Sequence, residues 1–137
     1  MSGLKSITPY NSIHNSIIAG NFIGIGNAAN DMTGVVSSTS SFNLIGDASS
    51  TAGLKNGVNG NLIGVDPLLG PLVDNGGPTQ THAIMSGSLA LNSGDPNAVA
   101  GQSGVPNFDQ RGSGFSRVVA GRIDIGSFEF AEAPSLV

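Results

Sequence analysis

Short apolar pairs alternate with polar residues and glycines along this chain, and three of the pairs share one pattern. The pattern is Asn-apolar-Ile-Gly, and its copies begin at Asn21, Asn43 and Asn61. Two apolar residues between an asparagine and a glycine are typical of a short strand that enters a turn. Self-similarity of this kind indicates stacked repeats. The pattern therefore predicts a β-solenoid in which Ile23, Ile45 and Ile63 lie on adjacent parallel strands and face a shared interior.

The apolar pattern changes after Gly64, and this change divides the chain into three segments. Residues 1–64 are predicted to form the coils of the solenoid. Residues 65–130 are expected to cover it as an irregular segment of the same domain, because Pro67 and Pro71 exclude a central strand there. Residues 131–137 are expected to be a flexible tail.

Composition limits the class of protein and the kind of partner. Charged residues make up 10% of the chain and aromatic residues 5%, while 21 glycines favour turns. The mean hydropathy of +0.14 indicates enough apolar surface for a core. A net charge of −4 with five Lys and Arg residues argues against nucleic-acid binding. The chain has no cysteine, and no apolar run approaches the roughly 20 residues of a membrane span.

Several blocks in the second half of the chain resemble one protein family. The blocks are Asp66–Ala83, Asp109–Gly112, Arg117–Val119 and Asp124–Glu129. Their sequence and order are similar to those of the choice-of-anchor Q family. That family forms the C-terminal part of parallel β-helix proteins of the bacterial surface, which resemble polymorphic outer-membrane proteins and adhesins. The resemblance covers roughly Asn43 to Glu129.

This resemblance implies a fold, a location and a function. The predicted fold is all-β: a short right-handed parallel β-helix with an irregular C-terminal covering segment. The implied location is extracellular or on the bacterial cell surface, with the signal and the anchor outside this chain. The favoured function is a non-catalytic terminal module of an adhesin-like surface or secreted protein, and the chain is expected to be a fragment of a longer protein. The family implies no catalytic residue.

An enzyme is the alternative from a different class. Parallel β-helix scaffolds host polysaccharide-cleaving enzymes that use carboxylate acids and bases, so a glycan- or ester-cleaving enzyme fragment stays open as a hypothesis. Its candidate catalytic residues are Asp95, Asp109, Asp124, Glu129 and His82. A third hypothesis is a carbohydrate-binding module that takes a glycan along one face.

The same carboxylates also have a structural interpretation. Asp109 lies two residues before Arg111, and Asp124 lies two residues after Arg122. We expect a partly buried ion-pair network to fasten the loops of this Pro- and Gly-rich region. Its predicted members are Asp109, Arg111, Arg117, Asp124 and Glu129. An enzyme would direct two carboxylates into one cleft, whereas a structural module would bond them to arginines or backbone N–H groups.

Neither histidine belongs to a recognisable catalytic or metal-binding motif. His14 is expected to be a hydrogen-bonded structural residue, and His82 is expected to tie the covering segment to the coils. No cofactor or metal is predicted, apart from weak calcium binding at the turn Asp74–Gly77. That turn lacks the full ligand pattern of a calcium-binding loop.

The N-terminal end of the predicted stack would expose unpaired strand edges. The repeats begin near Asn11, and no capping helix precedes them. An exposed edge of this kind pairs readily with another chain. We therefore expect self-association through the open N-terminal coil.

Overall fold

The computed structural model describes residues 10–131. Within this range the chain is all-β, with one short 3-10 turn at Val58–Gly60. The strands are β1 Ile17–Ile18, β2 Phe22–Ile23, β3 Ala28–Ala29, β4 Leu44–Ile45, β5 Leu62–Ile63, β6 Leu69–Val73 and β7 Thr81–Ile84. No helix in this range has the length and apolar character needed to cross a membrane.

The strands form one sheet of three strands and two sheets of two strands. β1, β4 and β5 are parallel, and Leu44 of β4 is paired with both Ile17 and Leu62. The pairs β2–β3 and β6–β7 are antiparallel. The β6–β7 register is irregular between Leu69 and Leu72, around Pro71. A two-stranded sheet tolerates Pro71, which has no backbone N–H to donate.

The prediction of a right-handed parallel β-helix is wrong. The described residues form small sheets of two or three short strands, and these do not stack into a solenoid. Ile45 and Ile63 are paired on neighbouring parallel strands, but Ile23 lies in the antiparallel β2–β3 pair and is 55% exposed. Ile18 is the residue that pairs with Ile45 from the other side.

Local turn chemistry explains why the copy that begins at Asn21 leaves the parallel register. Gly24 and Asn27 have φ angles of 72° and 52°, and these left-handed residues turn the chain back after Ile23. The carboxylate of Asp31 accepts hydrogen bonds from the backbone N–H of Asn21 at 3.0 Å and from its side-chain amide at 3.2 Å. Asn21 therefore closes a hairpin instead of opening a strand of the three-stranded sheet.

Buried asparagines connect the strands of the parallel sheet. Asn43 and Asn61 precede β4 and β5, and their exposed fractions are 0% and 1%. The Oδ1 atom of Asn61 accepts hydrogen bonds from the backbone N–H and the side-chain amide of Asn43, both at 3.0 Å. The Oδ1 atom of Asn43 accepts the backbone N–H of Ser16 at 3.1 Å. A serine precedes β1, so this ladder of amides ends at Ser16.

The hydrophobic core joins the parallel sheet to the second half of the chain. Leu44 packs in a buried cluster with Ile84, Ala90, Ile125 and Phe128. The segments that the sequence separates at residue 64 therefore share a core. Most of the predicted tail, residues 132–137, lies outside the described range.

Candidate functional site

The structure brings all five residues of the predicted ion-pair network into one buried cluster. Two ion pairs form it: Arg111 Nη2 lies 2.6 Å from Asp109 Oδ2, and Arg117 Nη1 lies 3.0 Å from Glu129 Oε2. All four of these residues and Asp124 are buried. We call Asp109, Arg111, Arg117, Asp124 and Glu129 the terminal network.

Arg111 and Asp109 hold the chain near Glu129 from one side. The Arg111 guanidinium lies over the rings of Phe115 and Phe128, with its central carbon 4.0 and 3.8 Å from the ring centroids. Its Nη2 atom also donates to the carbonyl oxygen of Glu129 at 2.8 Å. Asp109 Oδ2 accepts the backbone N–H of Glu129 at 2.8 Å. The Asp109–Arg111 pair therefore satisfies both backbone groups of Glu129.

The Glu129 carboxylate is surrounded by donors. Besides Arg117, it accepts the backbone N–H of Asp124 at 3.1 Å and that of Val119 at 3.2 Å. Burial nevertheless raises the pKa of Glu129 from its ordinary 4.5 to about 7, and the nearby Asp124 carboxylate adds to this rise. The hydrogen bonds and the charge of Arg117 act in the opposite direction.

Asp124 belongs to the network through backbone donors. Its Oδ1 atom accepts the N–H of Asn92 at 2.6 Å, and its Oδ2 atom accepts the N–H of Phe130 at 2.7 Å. Burial is the main cause that raises the pKa of Asp124. Arg122, which the sequence places two residues earlier, donates instead to the carbonyl oxygen of Gly94 at 2.8 Å. Asp124 therefore joins the segments around Asn92 and Phe130 without an ion pair of its own.

The free energy of unfolding is expected to fall as the pH rises from 4.5 to about 7. Glu129 has a higher pKa in the folded than in the unfolded protein, so the folded protein binds more protons in this window. The stability that Glu129 contributes is fully present below 4.5 and is lost as the pH rises through about 7. The raised pKa of Asp124 acts in the same direction.

Thermal melting across this window and one pH unit to either side measures the effect. The variant Glu129→Gln, which cannot ionise at this position, should show a flatter profile. A melting temperature that rises with pH across the window would contradict the assignment.

A cleft of about 980 Å³ lies beside the network and gathers segments from residues 14–19, 69–84 and 95–128. We call it the main cleft. Of the candidate catalytic residues, Asp95, Asp109 and His82 line it, as does His14. Asp124 and Glu129 do not line it. The structure therefore divides the five candidate catalytic residues between the cleft and the buried interior.

Most of the polar groups at the cleft already have structural partners. Asp109 is bonded to Arg111 and to backbone N–H groups, and Asp95 Oδ1 accepts the backbone N–H of Asn97 at 2.8 Å. His82 Nδ1 donates to the carbonyl oxygen of Gly70 at 2.8 Å. His14 Nδ1 is hydrogen-bonded to the hydroxyl of Ser41 at 2.9 Å.

Within residues 10–131, no group of three or more His, Asp or Glu side chains is placed to hold a metal ion. At the turn where weak calcium binding was predicted, Asp74 Oδ1 accepts the backbone N–H of Gly76 at 2.9 Å and so closes the turn. Calcium binding there stays a prediction.

Sequence reasoning missed the apolar side of the cleft and an apolar hairpin near it. Leu69, Leu72 and Phe108 line the cleft and are partly exposed. In the β2–β3 hairpin, Phe22 is 62% exposed and Ile25 is fully exposed. The available signal was the absence of charge from Asn21 to Asn30, where apolar side chains fall in a stretch that lacks Lys, Arg, Asp and Glu.

Comparison with known proteins identifies no relative of this chain. No protein-family model matches it, and neither a curated protein nor a solved structure does so. The resemblance to the choice-of-anchor Q family stays a prediction.

Proposed function

We propose that this chain is a non-catalytic structural module of a bacterial cell-surface or secreted protein, near the segment that anchors that protein. The observation that carries the proposal is the state of three carboxylates. Asp109, Asp124 and Glu129 are buried and are bonded to arginines or backbone N–H groups. These carboxylates fasten the end of the chain to its core.

General acid–base catalysis needs a carboxyl group that reaches a proton of the substrate. Glu129 and Asp124 have exposed fractions of 1% and 2% and do not line the main cleft. Asp109 borders the cleft, but its oxygens accept hydrogen bonds from Arg111 and Glu129. Such groups stabilise a fold, since removal of a partner from a buried charge is costly.

Location outside the cell rests on the family resemblance. The low content of charged residues and the 21 glycines agree with a turn-rich module. In an adhesin-like protein, this chain would extend and stabilise the larger surface protein.

The glycan hypotheses depend on the main cleft. Asp95 and His82 both line it, and these two side chains would contact a bound sugar or ester. Sugar sites usually present aromatic faces, and Phe108, at 42% exposure, is the aromatic side chain most open to such a ligand here. Because the other candidate carboxylates are buried, we favour the structural module over the two glycan hypotheses.

Self-association through the N-terminal part of the described chain belongs to the same proposal. The N–H of Leu44 donates to the carbonyl of Ser16 at 2.9 Å, and the N–H of Gly46 donates to that of Ile18 at 3.0 Å. Ile17 therefore directs its own N–H and C=O to the side away from β4. No strand within residues 10–131 pairs with β1 on that side.

At the opposite edge of the same sheet, one outward backbone donor has a side-chain partner. On β5, the outward N–H of Ile63 donates to Oδ1 of Asn56 at 2.9 Å. The N–H of Gly126 donates to the carbonyl of Asn15 just before β1, but no described strand pairs with β1 itself on this side, so the β1 side is where we place the contact with another chain.

The variant Asp124→Ala tests the structural interpretation. It leaves the backbone N–H groups of Asn92 and Phe130 without their acceptor, so the melting temperature should fall by a few degrees or more. Asp95→Ala, which removes a carboxylate from the cleft and one exposed hydrogen bond to the N–H of Asn97, should lower the melting temperature much less. An Asp124→Ala protein that melts like the parent but loses a hydrolytic activity on glycans or esters would overturn the proposal.

A further inference from the structure

We propose that the protein self-associates by inserting the β2–β3 hairpin of one copy into the main cleft of a second copy. We call residues 21–30 the apolar knob. The inference rests on the self-association proposed above and names the two surfaces that meet.

The apolar knob is a two-stranded hairpin whose large side chains are exposed. Across the hairpin, Phe22 is paired with Ala29 and Ile23 with Ala28, so the small partners leave the large residues uncovered. Ile25, at the turn, is fully exposed. An exposed apolar patch of this kind marks an interaction surface.

The base of the knob is firmly closed. The N–H of Asn30 donates to the carbonyl of Asn21 at 2.9 Å, and Asp31 holds Asn21 through two further hydrogen bonds. These bonds hold the two ends of the hairpin together before binding, which reduces the entropy that association must overcome.

The main cleft offers an apolar surface of suitable size. Leu72 of β6 and Phe108 line it and are 53% and 42% exposed, and Leu69 and Val105 lie along the same walls. Its volume of about 980 Å³ is at the upper end of the range of about 300–1,000 Å³ typical of ligand sites. Several side chains of a hairpin turn fit a space of this size.

Charge favours these surfaces as the contact between copies. The net charge of −4 opposes association of two identical chains. The knob has no charged residue; in the cleft Asp109 and Arg117 are each already paired with a partner of the opposite sign, and Asp95 accepts the backbone N–H of Asn97. Docking the knob therefore buries apolar area without placing the acidic groups of the two copies face to face.

The knob and the cleft lie next to each other on one molecule. Ile17 and Ala19 line the cleft, and the knob begins two residues after Ala19. Two copies related by a two-fold axis can then each place a knob in the partner's cleft, as in isologous dimers. The same contact would cover the open edge of β1 at Ile17.

Two variants test the contact from its two sides. Ile25→Asp places a charge on the knob, where the fully exposed side chain has no packing to lose. Leu72→Lys places a charge on the cleft wall. Each variant alone should weaken dimer formation at least about tenfold, measured by sedimentation velocity over a range of concentrations. Val58→Asp, at a 50% exposed site outside both surfaces, is the matched control and should associate like the parent.

Mixing the two variants gives the sharpest result. The Leu72→Lys copy has an intact knob and the Ile25→Asp copy an intact cleft, while the altered surfaces bring Asp against Lys. An equimolar mixture should therefore recover a one-to-one dimer. Ile23→Asp replaces Ile25→Asp if circular dichroism shows that the latter is not folded.

The other outcomes contradict the inference in distinguishable ways. If the parent dimerises and the variants dimerise equally well, the knob–cleft contact is wrong and self-association uses another surface. A mixture that stays monomeric also overturns the contact. A parent that stays monomeric at high concentration overturns self-association itself, while the structural role of the carboxylates is decided separately by Asp124→Ala.

Discussion

Replacing Glu129 by alanine is expected to lower the free energy of unfolding by about 3–5 kcal/mol, the cost of breaking a buried ion pair. The substitution leaves the guanidinium of Arg117 buried without its acid partner. It also leaves the backbone N–H groups of Val119 and Asp124 without the acceptor they share. Glu129 and Asp124 are almost fully buried, so the N–H of Asp124 has little access to water once its acceptor is removed.

Urea unfolding measures this loss, and Glu129→Gln is the matched control. Glutamine retains a carbonyl oxygen that accepts an N–H, and it resembles the protonated acid, which predominates below the raised pKa of about 7. It should therefore cost less than half as much as alanine. Equal losses for the two variants would mean that packing, and not hydrogen bonding at the carboxyl group, determines the effect.

The variant Asn61→Ala should have the second largest effect, a loss of about 3 kcal/mol from several buried groups left unbonded. Asn61 Oδ1 accepts two hydrogen bonds from Asn43, and its amide donates to the carbonyls of Ser40 and Val58, both at 2.9 Å. Alanine replaces none of these four bonds. The parallel pairing of β4 with β5 loses its lateral support at the same time.

Asn97→Ala is the control for this loss, because Asn97 is exposed and uses its backbone N–H in its bond with Asp95. It should change the free energy of unfolding by less than about 0.5 kcal/mol, as surface substitutions usually do. An Asn61→Ala protein of unchanged stability would show that the amide ladder does not support the sheet.

The repeat in the sequence predicts part of the parallel sheet and fails for a physical reason. The copies at Asn43 and Asn61 place Leu44 opposite Leu62 and Ile45 opposite Ile63. The copy that begins at Asn21 does not join this sheet, because the turn after Ile23 and the hydrogen bonds of Asp31 favour a local hairpin. A sequence repeat shows which residues occupy similar positions, but it does not show whether a nearby turn will fold one copy differently.

The solenoid prediction extended this equivalence too far. Strands of two residues satisfy few backbone groups, and much of the chain is held by side-chain acceptors and turns instead, as at Asn61 and Asp31. Sequence periodicity contains no direct signal for such irregular contacts. The fold class is all-β, but its arrangement in small separate sheets could not be derived from spacing.

For the candidate site, the sequence indicates which residues take part but not how they are arranged. The charged residues of the 109–129 region could be selected from the sequence, because so few occur in this chain. Their pairing could not, since Arg117 bonds Glu129 and Arg122 bonds the carbonyl of Gly94 instead of Asp124. The main cleft joins segments that are far apart in the chain, so its lining is visible only in three dimensions.

A double-mutant cycle on Arg117→Ala and Glu129→Ala measures whether these two buried charges act together to stabilise the fold. Each single variant should lose stability strongly and the double variant little more, with a coupling energy of about 2 kcal/mol or more. Losses that simply add would show that Glu129 is not tied to Arg117. Its carboxylate would then return to the candidates for chemistry, and the structural account would be contradicted.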